Sequence, residues 1–170
     1  MTLLSLTGID VTDWALLADG EKPQEGASVL VSLTRLLEDG ETVFSSAGKV
    51  GAIVPTDTNY SDLEAVSHKL ALVAIEFPAF GDGRGFSLAV RLRKDLGFQG
   101  EVRAHGPVMP DQALFLLRAG FDSVDITDAS RVDAFKTSLT RFKDFYQTDY
   151  TGGRALAYAR HGNVGARIAS

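Results

Sequence analysis

The chain of 170 residues contains no cysteine. That absence removes disulfides, thiolate nucleophiles, thiolate-ligated clusters and cysteine zinc sites together, so any redox chemistry would be borrowed from a bound cofactor or a partner. Histidine is also scarce. His68, His105 and His161 stand far apart with no His-x-x-x-His spacing, and no metal site is expected. No apolar run approaches the ~20 residues that cross a bilayer, and Met1–Ile9 lacks a basic region followed by a long apolar stretch. The expectation is a cytoplasmic protein with no membrane contact. Positive charge is in short supply too: 17 Lys and Arg face 22 Asp and Glu, a formal net charge of −5. That balance argues against nucleic acid as a partner, because phosphate contacts need a basic surface.

Nucleotide and nucleophile signatures are missing as well. Gly81-Asp82-Gly83-Arg84-Gly85 has neither the spacing of a dinucleotide fingerprint nor the Gly-Lys-Ser/Thr of a Walker loop. Ser87 sits in no nucleophile elbow. No cofactor is evident, although a flavin can bind an α/β edge without a short motif.

What remains is ordinary globular material, 45% hydrophobic and 23% charged, in the usual range of a single domain. β-Branched apolar runs at Ser28–Leu33, Val50–Val54, Ala71–Phe77, Glu101–Ala104 and Phe121–Ile126 read as strands. Between and after them lie helical patterns. Arg35–Asp39 has helical character, Ser61–Leu70 starts at Ser61 as N-cap, Phe86–Leu96 closes with Gly97, and Asp111–Arg118 closes with Gly120. A last helix, Arg131–Tyr146, places Phe135, Leu139, Phe142 and Tyr146 on one core-facing stripe. The expected class is α/β: one domain over residues 1–147, with a mainly parallel sheet of about five strands built from βαβ units. Such a sheet is either open or curled like part of a (β/α) barrel. Residues 148–170 carry Arg154, Arg160 and Arg167 among glycines, and read as a basic tail that is flexible or docks on a neighbouring subunit. Open sheet edges make a homodimer one expected assembly.

In either form of sheet, loops leaving the strand C-terminal ends gather on one edge, where ligands bind. The corner Glu76–Ser87 is the richest of these loops. Gly83 and Gly85 let the backbone approach a ligand, Ser87 follows on the helix, and Arg84 adds a fixed positive charge at a helix start, a setting suited to a small anion. Arg103, from the next strand, would grip the same anion from a second side. The plainer alternative is two separate salt bridges to nearby acids. His105 and Asp82 are the candidates for acid–base work, His105 because its ordinary pKa lies near neutrality. A simple loop hydrogen bond would equally account for His105. Asp111 opens the following helix as a cap, and Gln112 lies one residue further in at the same edge.

The segment Phe77-Pro78-Ala79-Phe80-Gly81-Asp82-Gly83-Arg84-Gly85-Phe86-Ser87, continued by Arg93, Gly97-Phe98, Gly100-Glu101, Arg103-Ala104, Gly106, Asp111-Gln112 and Gly120-Phe121-Asp122, resembles the bacterial domain-of-unknown-function family numbered 934. Members of that family are often labelled probable oxidoreductases involved in sulfite reduction, from the company their genes keep. The resemblance therefore implies a place in assimilatory sulfur metabolism, with sulfite reductase or phosphoadenylyl-sulfate reductase as partner. It supplies no catalytic residue, and His105 stands where an aliphatic residue is common in the family. Three functions follow as expectations: an accessory protein of sulfite or sulfate reduction with an anion- or partner-binding edge, a small enzyme acting on a phosphorylated or sulfonated metabolite, or a non-catalytic structural subunit.

Overall fold

The structure is a computed structural model, and it describes residues 2–142 and Asp149. The stripe position Tyr146 and the basic tail, Asp149 apart, lie outside the described residues. Seven strands form one sheet: β1 (Thr2–Ser5), β2 (Ala15–Leu16), β3 (Ser28–Ser32), β4 (Lys49–Pro55), β5 (Leu72–Glu76), β6 (Glu101–His105) and β7 (Ser123–Ile126). Among the described residues five α-helices accompany them: α1 (Leu33–Ser46), α2 (Tyr60–Ser67), α3 (Arg84–Lys94), α4 (Ala113–Ala119) and α5 (Val132–Thr140).

The strand order is β1-β7-β6-β5-β4-β3-β2. From β2 to β7 every neighbour is parallel and consecutive in the chain, and β1 alone runs antiparallel, against β7. Right-handed crossovers taken always in the same direction leave all helices on one side, and the sheet curls into a half-barrel. One core fills the helix side, joining Val31, Val54, Ile75, Ala104 and Val124 of the sheet to Leu36, Leu63, Leu92, Leu116 and Phe135 of the helices.

The count of about five strands is corrected to seven by the two edge strands. β1 is half-buried throughout and β2 is a pair of exposed residues, so neither shows the in–out alternation that marks a strand in sequence. Placing β1 at one edge and β2 at the other forces residues 6–14 to cross the sheet. They cross on the side the helices leave open: Trp14 packs on the cluster of Leu30, Leu72 and Ala74, and Arg103 Nη2 donates to the Thr12 carbonyl at 3.0 Å.

Helix limits differ from expectation for local reasons. α1 runs well past Asp39 because that residue only kinks it (φ −135°, ψ 32°) before Gly40. Asn59, not Ser61, is the N-cap of α2. α5 stops at Thr140, and Phe142 is 57% exposed, so Phe135 and Leu139 are core and Phe142 is not.

Two details of packing bear on the corner after β5. Phe77 stacks edge-on with Phe86 (centroids 5.3 Å apart) and lies 5.9 Å from Phe121. A Cβ at Gly85 would fall 2.6 Å from Cζ of Phe77, so this glycine exists to let α3 sit on that ring. Gly106 has φ +107°, and a side chain there would run into the Phe77 carbonyl oxygen. At the opposite end of the sheet, Arg93 ties three turns together by donating to the carbonyls of Phe98 (2.7 Å), Gly100 (2.8 Å) and Gly120 (2.9 Å) and pairing with Asp122. Arg93 and Asp122 therefore serve the fold.

Candidate functional site at the strand C-terminal edge

Alternation along the parallel strands decides which side chains reach the open face. Val73, Ile75, Val102, Ala104 and Val124 point at the helices. Their neighbours Ala74, Glu76, Arg103, His105, Ser123 and Asp125 point the other way, and the register sets Glu76 beside His105 and Arg103 beside Ser123. A polar strip thus crosses β5, β6 and β7.

Its deeper part is a closed ion pair. Arg103, 4% exposed, holds Glu101 Oε1 from Nη2 at 2.9 Å and from Nε at 3.0 Å, and Ser123 donates to the same oxygen at 2.5 Å. Through its further bond from Nη2 to the Thr12 carbonyl, Arg103 anchors the crossing segment.

The strip's outer part is at the rim. His105 Nδ1 lies 2.7 Å from Asp125 Oδ2, the carboxylate almost buried and the imidazole 27% exposed. Hydrogen bonding to Asp125 raises the His105 pKa above its ordinary value, against the partial burial that lowers it. Such a pair can orient an imidazole and hold a proton on it, leaving Nε2 for a guest.

One strand over, the β5–α3 loop carries the second cluster. Asp82 accepts from Thr56 Oγ1 (2.7 Å), from the Arg84 backbone N–H (3.0 Å) and from Arg84 Nη2 (2.7 Å) and Nε (3.0 Å). The Arg84 guanidinium first, and the Thr56 hydroxyl after it, hold the Asp82 carboxyl well below the usual carboxylate range. Asp82 is therefore an anion committed to bracing the loop, with no proton to offer near neutral pH. On the loop's other flank Gln112 accepts from Met109 N–H (3.0 Å) and donates to the Phe80 carbonyl (3.2 Å).

The sequence candidates thus fall into separate places. Arg84 belongs to Asp82 at the rim and Arg103 to Glu101 on the inner face, the separate salt bridges that the residue pattern left open. Gly85 faces Phe77, Gly83 borders open space, and Ser87 is exposed on α3. Asp111 makes no capping bond; a short 3-10 turn, Pro110–Gln112, precedes α4, and Gln112 does the tethering. Thr56 and Asp125 lie at strand ends that the residue order already brings to this edge, but their partners could not be read from it, and Glu101 showed no role there. Asp125 meets His105 across neighbouring strands. The partner of Thr56 lies 26 positions away.

Among the described residues, no group of His, Asp or Glu is arranged to hold a metal ion, and no helix is long and apolar enough to cross a membrane. A cleft of about 280 Å³ opens beyond the end of β3, lined by Asp19, Ser32, Thr34, Arg35 and Glu38. None of the candidates lines it, and Arg35 is occupied by the carbonyls of Ala18 and Glu21.

A family model described as a bacterial protein of unknown function (DUF934) matches residues 51–157. No curated protein matches the chain.

Proposed function

This chain belongs to the bacterial protein family of unknown function DUF934, and from that membership and the form of the strand edge we propose an accessory protein of assimilatory sulfite or sulfate reduction that acts by binding a partner there. The observation that carries the binding part is the braced β5–α3 loop, tied to Thr56 on one flank and to Gln112 on the other while its outer surface stays exposed. Both arginines expected to grip an anion already have carboxylates of their own, which favours a docking edge over an anion pocket. The sulfur-metabolic part rests on the family resemblance.

The test mixes the purified protein with sulfite reductase and, separately, with phosphoadenylyl-sulfate reductase, and follows sedimentation and turnover. Co-sedimentation or altered turnover with one of them is expected; no effect on either overturns the accessory role. Thermal melts in sulfate, sulfite and phosphate form the second arm. A specific rise in Tm that Arg84→Ala removes would restore the anion pocket.

A second reading is favoured by one contact. The 2.7 Å His105–Asp125 pair, with its ring partly open at the rim, is the arrangement of a proton-transferring enzyme acting on a small metabolite. Turnover of any phosphorylated or sulfonated compound that His105→Gln abolishes would establish it.

A further inference from the structure

We propose that the loop 78–84 is a preformed docking knob, with Phe80 at its tip, for a protein surface that offers an apolar pocket ringed by lysine and arginine. The proposal rests on the reading that this edge binds a partner, and it names the contact and the partner's chemistry. Phe80 is 55% exposed, yet the backbone beneath it is not loose. Gln112 Nε2 holds its carbonyl at 3.2 Å, Asp82 N–H closes the turn on the Ala79 carbonyl at 3.1 Å, and Asp82 is pinned by Thr56 and Arg84. A ring presented on a rigid loop loses little freedom on binding, and a buried aromatic anchor is what dominates most protein interfaces. Phe115, three residues after Gln112 on α4, is a second exposed ring at 61%.

Charge selects the partner. Asp57, Glu76 and Asp111 are exposed carboxylates on the segments next to the knob, following Thr56, ending β5 and preceding Gln112, and among the described residues none makes an ion pair. Arg84 is paired with Asp82, and of the three only Asp57 also acts on it. The rim is thus acidic around an apolar centre. Complementarity calls for the reverse on the other side: basic around a hollow. A second copy of this face would bring like charges together, which argues against self-association through it.

The experiment places a photo-crosslinking amino acid at position 80 of the full chain in producing cells, with Leu37 on α1 as the control position. Adducts are mapped by mass spectrometry, and the purified pair is then titrated. An adduct from position 80 on a Lys/Arg-rich segment is expected, absent from position 37. Phe80→Ala should weaken binding by about tenfold or more and Phe80→Tyr far less. Asp111→Lys should lower affinity and flatten its salt dependence.

No adduct above the control, an adduct on an acidic segment, or unchanged affinity of Phe80→Ala would each overturn the knob. The two readings separate cleanly. If wild type and Phe80→Ala bind a sulfur-pathway reductase equally, the knob fails and the accessory role stands. If the adduct lies on an unrelated basic protein that Phe80→Ala no longer binds, the knob stands and the accessory role fails.

Discussion

Replacing Gly85 by alanine separates a packing glycine from a ligand-facing one within the same motif. The new methyl would lie 2.6 Å from Cζ and 2.7 Å from Cε1 of Phe77, well inside contact distance. Phe77 is 3% exposed and wedged against Phe86 and Phe121, so its ring has nowhere to turn and α3 must lift instead. Overpacking of this kind costs about 1–3 kcal/mol, and for a domain of this size each kcal/mol lowers Tm by roughly 2–4 °C. Gly83 is the internal control: its backbone is already right-handed (φ −80°, ψ −8°) and an added Cβ meets nothing within 4 Å. Gly83→Ala should be neutral, or stabilising by about 0.4–1 kcal/mol through the unfolded chain. Urea unfolding of the two variants measures both. Adding Phe77→Leu to Gly85→Ala should recover part of the loss, since residues in contact are non-additive. Should Gly85→Ala stay within about 0.5 kcal/mol of wild type, or Gly83→Ala cost as much, the packing explanation is wrong.

The remaining predictions concern the two ends of the sheet. Because the folded His105 pKa is raised above its ordinary 6.5, the pair with Asp125 contributes its full stability below that value and loses it as pH rises through the folded pKa. Glu76 and Arg103 also face the ring and act in opposite senses. An NMR titration should show the elevated pKa in wild type and its fall in Asp125→Asn, along with the matching pH slope of stability; an unchanged slope would refute the assignment. At the other end, Arg93→Ala takes the guanidinium from three carbonyls and leaves the Asp122 carboxylate with the Val102 N–H but no counter-charge, and should cost about 3–5 kcal/mol in chemical denaturation. Arg93→Lys keeps the charge but not the fork and should fall between.

The central elements could be read along the chain because each carries its own periodicity. β3 to β7 alternate or run apolar, and α3 shows a helical face regardless of neighbours. β1 and β2 were hidden because a short edge strand is defined by whom it pairs with, and their partners are distant in sequence. The candidate site divides in the same way. Residue types and strand ends placed Glu76, Asp82, Arg84, His105 and Gln112 at one edge from local pattern alone. Which acid each base would meet could not be read. Arg103 had Glu101 two residues away and Asp125 on the next strand, and only the register, with residues 6–14 laid over the open face, gives it to Glu101 and leaves Asp125 to His105.

By itself the amino-acid order settled the α/β class, the parallel βαβ repeat and the absence of thiol chemistry, because these depend on residue type and short-range spacing. Tertiary structure alone decided the curl into a half-barrel, the segment crossing it, the private pairing of both arginines and the exposure of Phe80. Those depend on contacts between positions far apart in the chain, whose energies appear only after the sheet has closed on its neighbours.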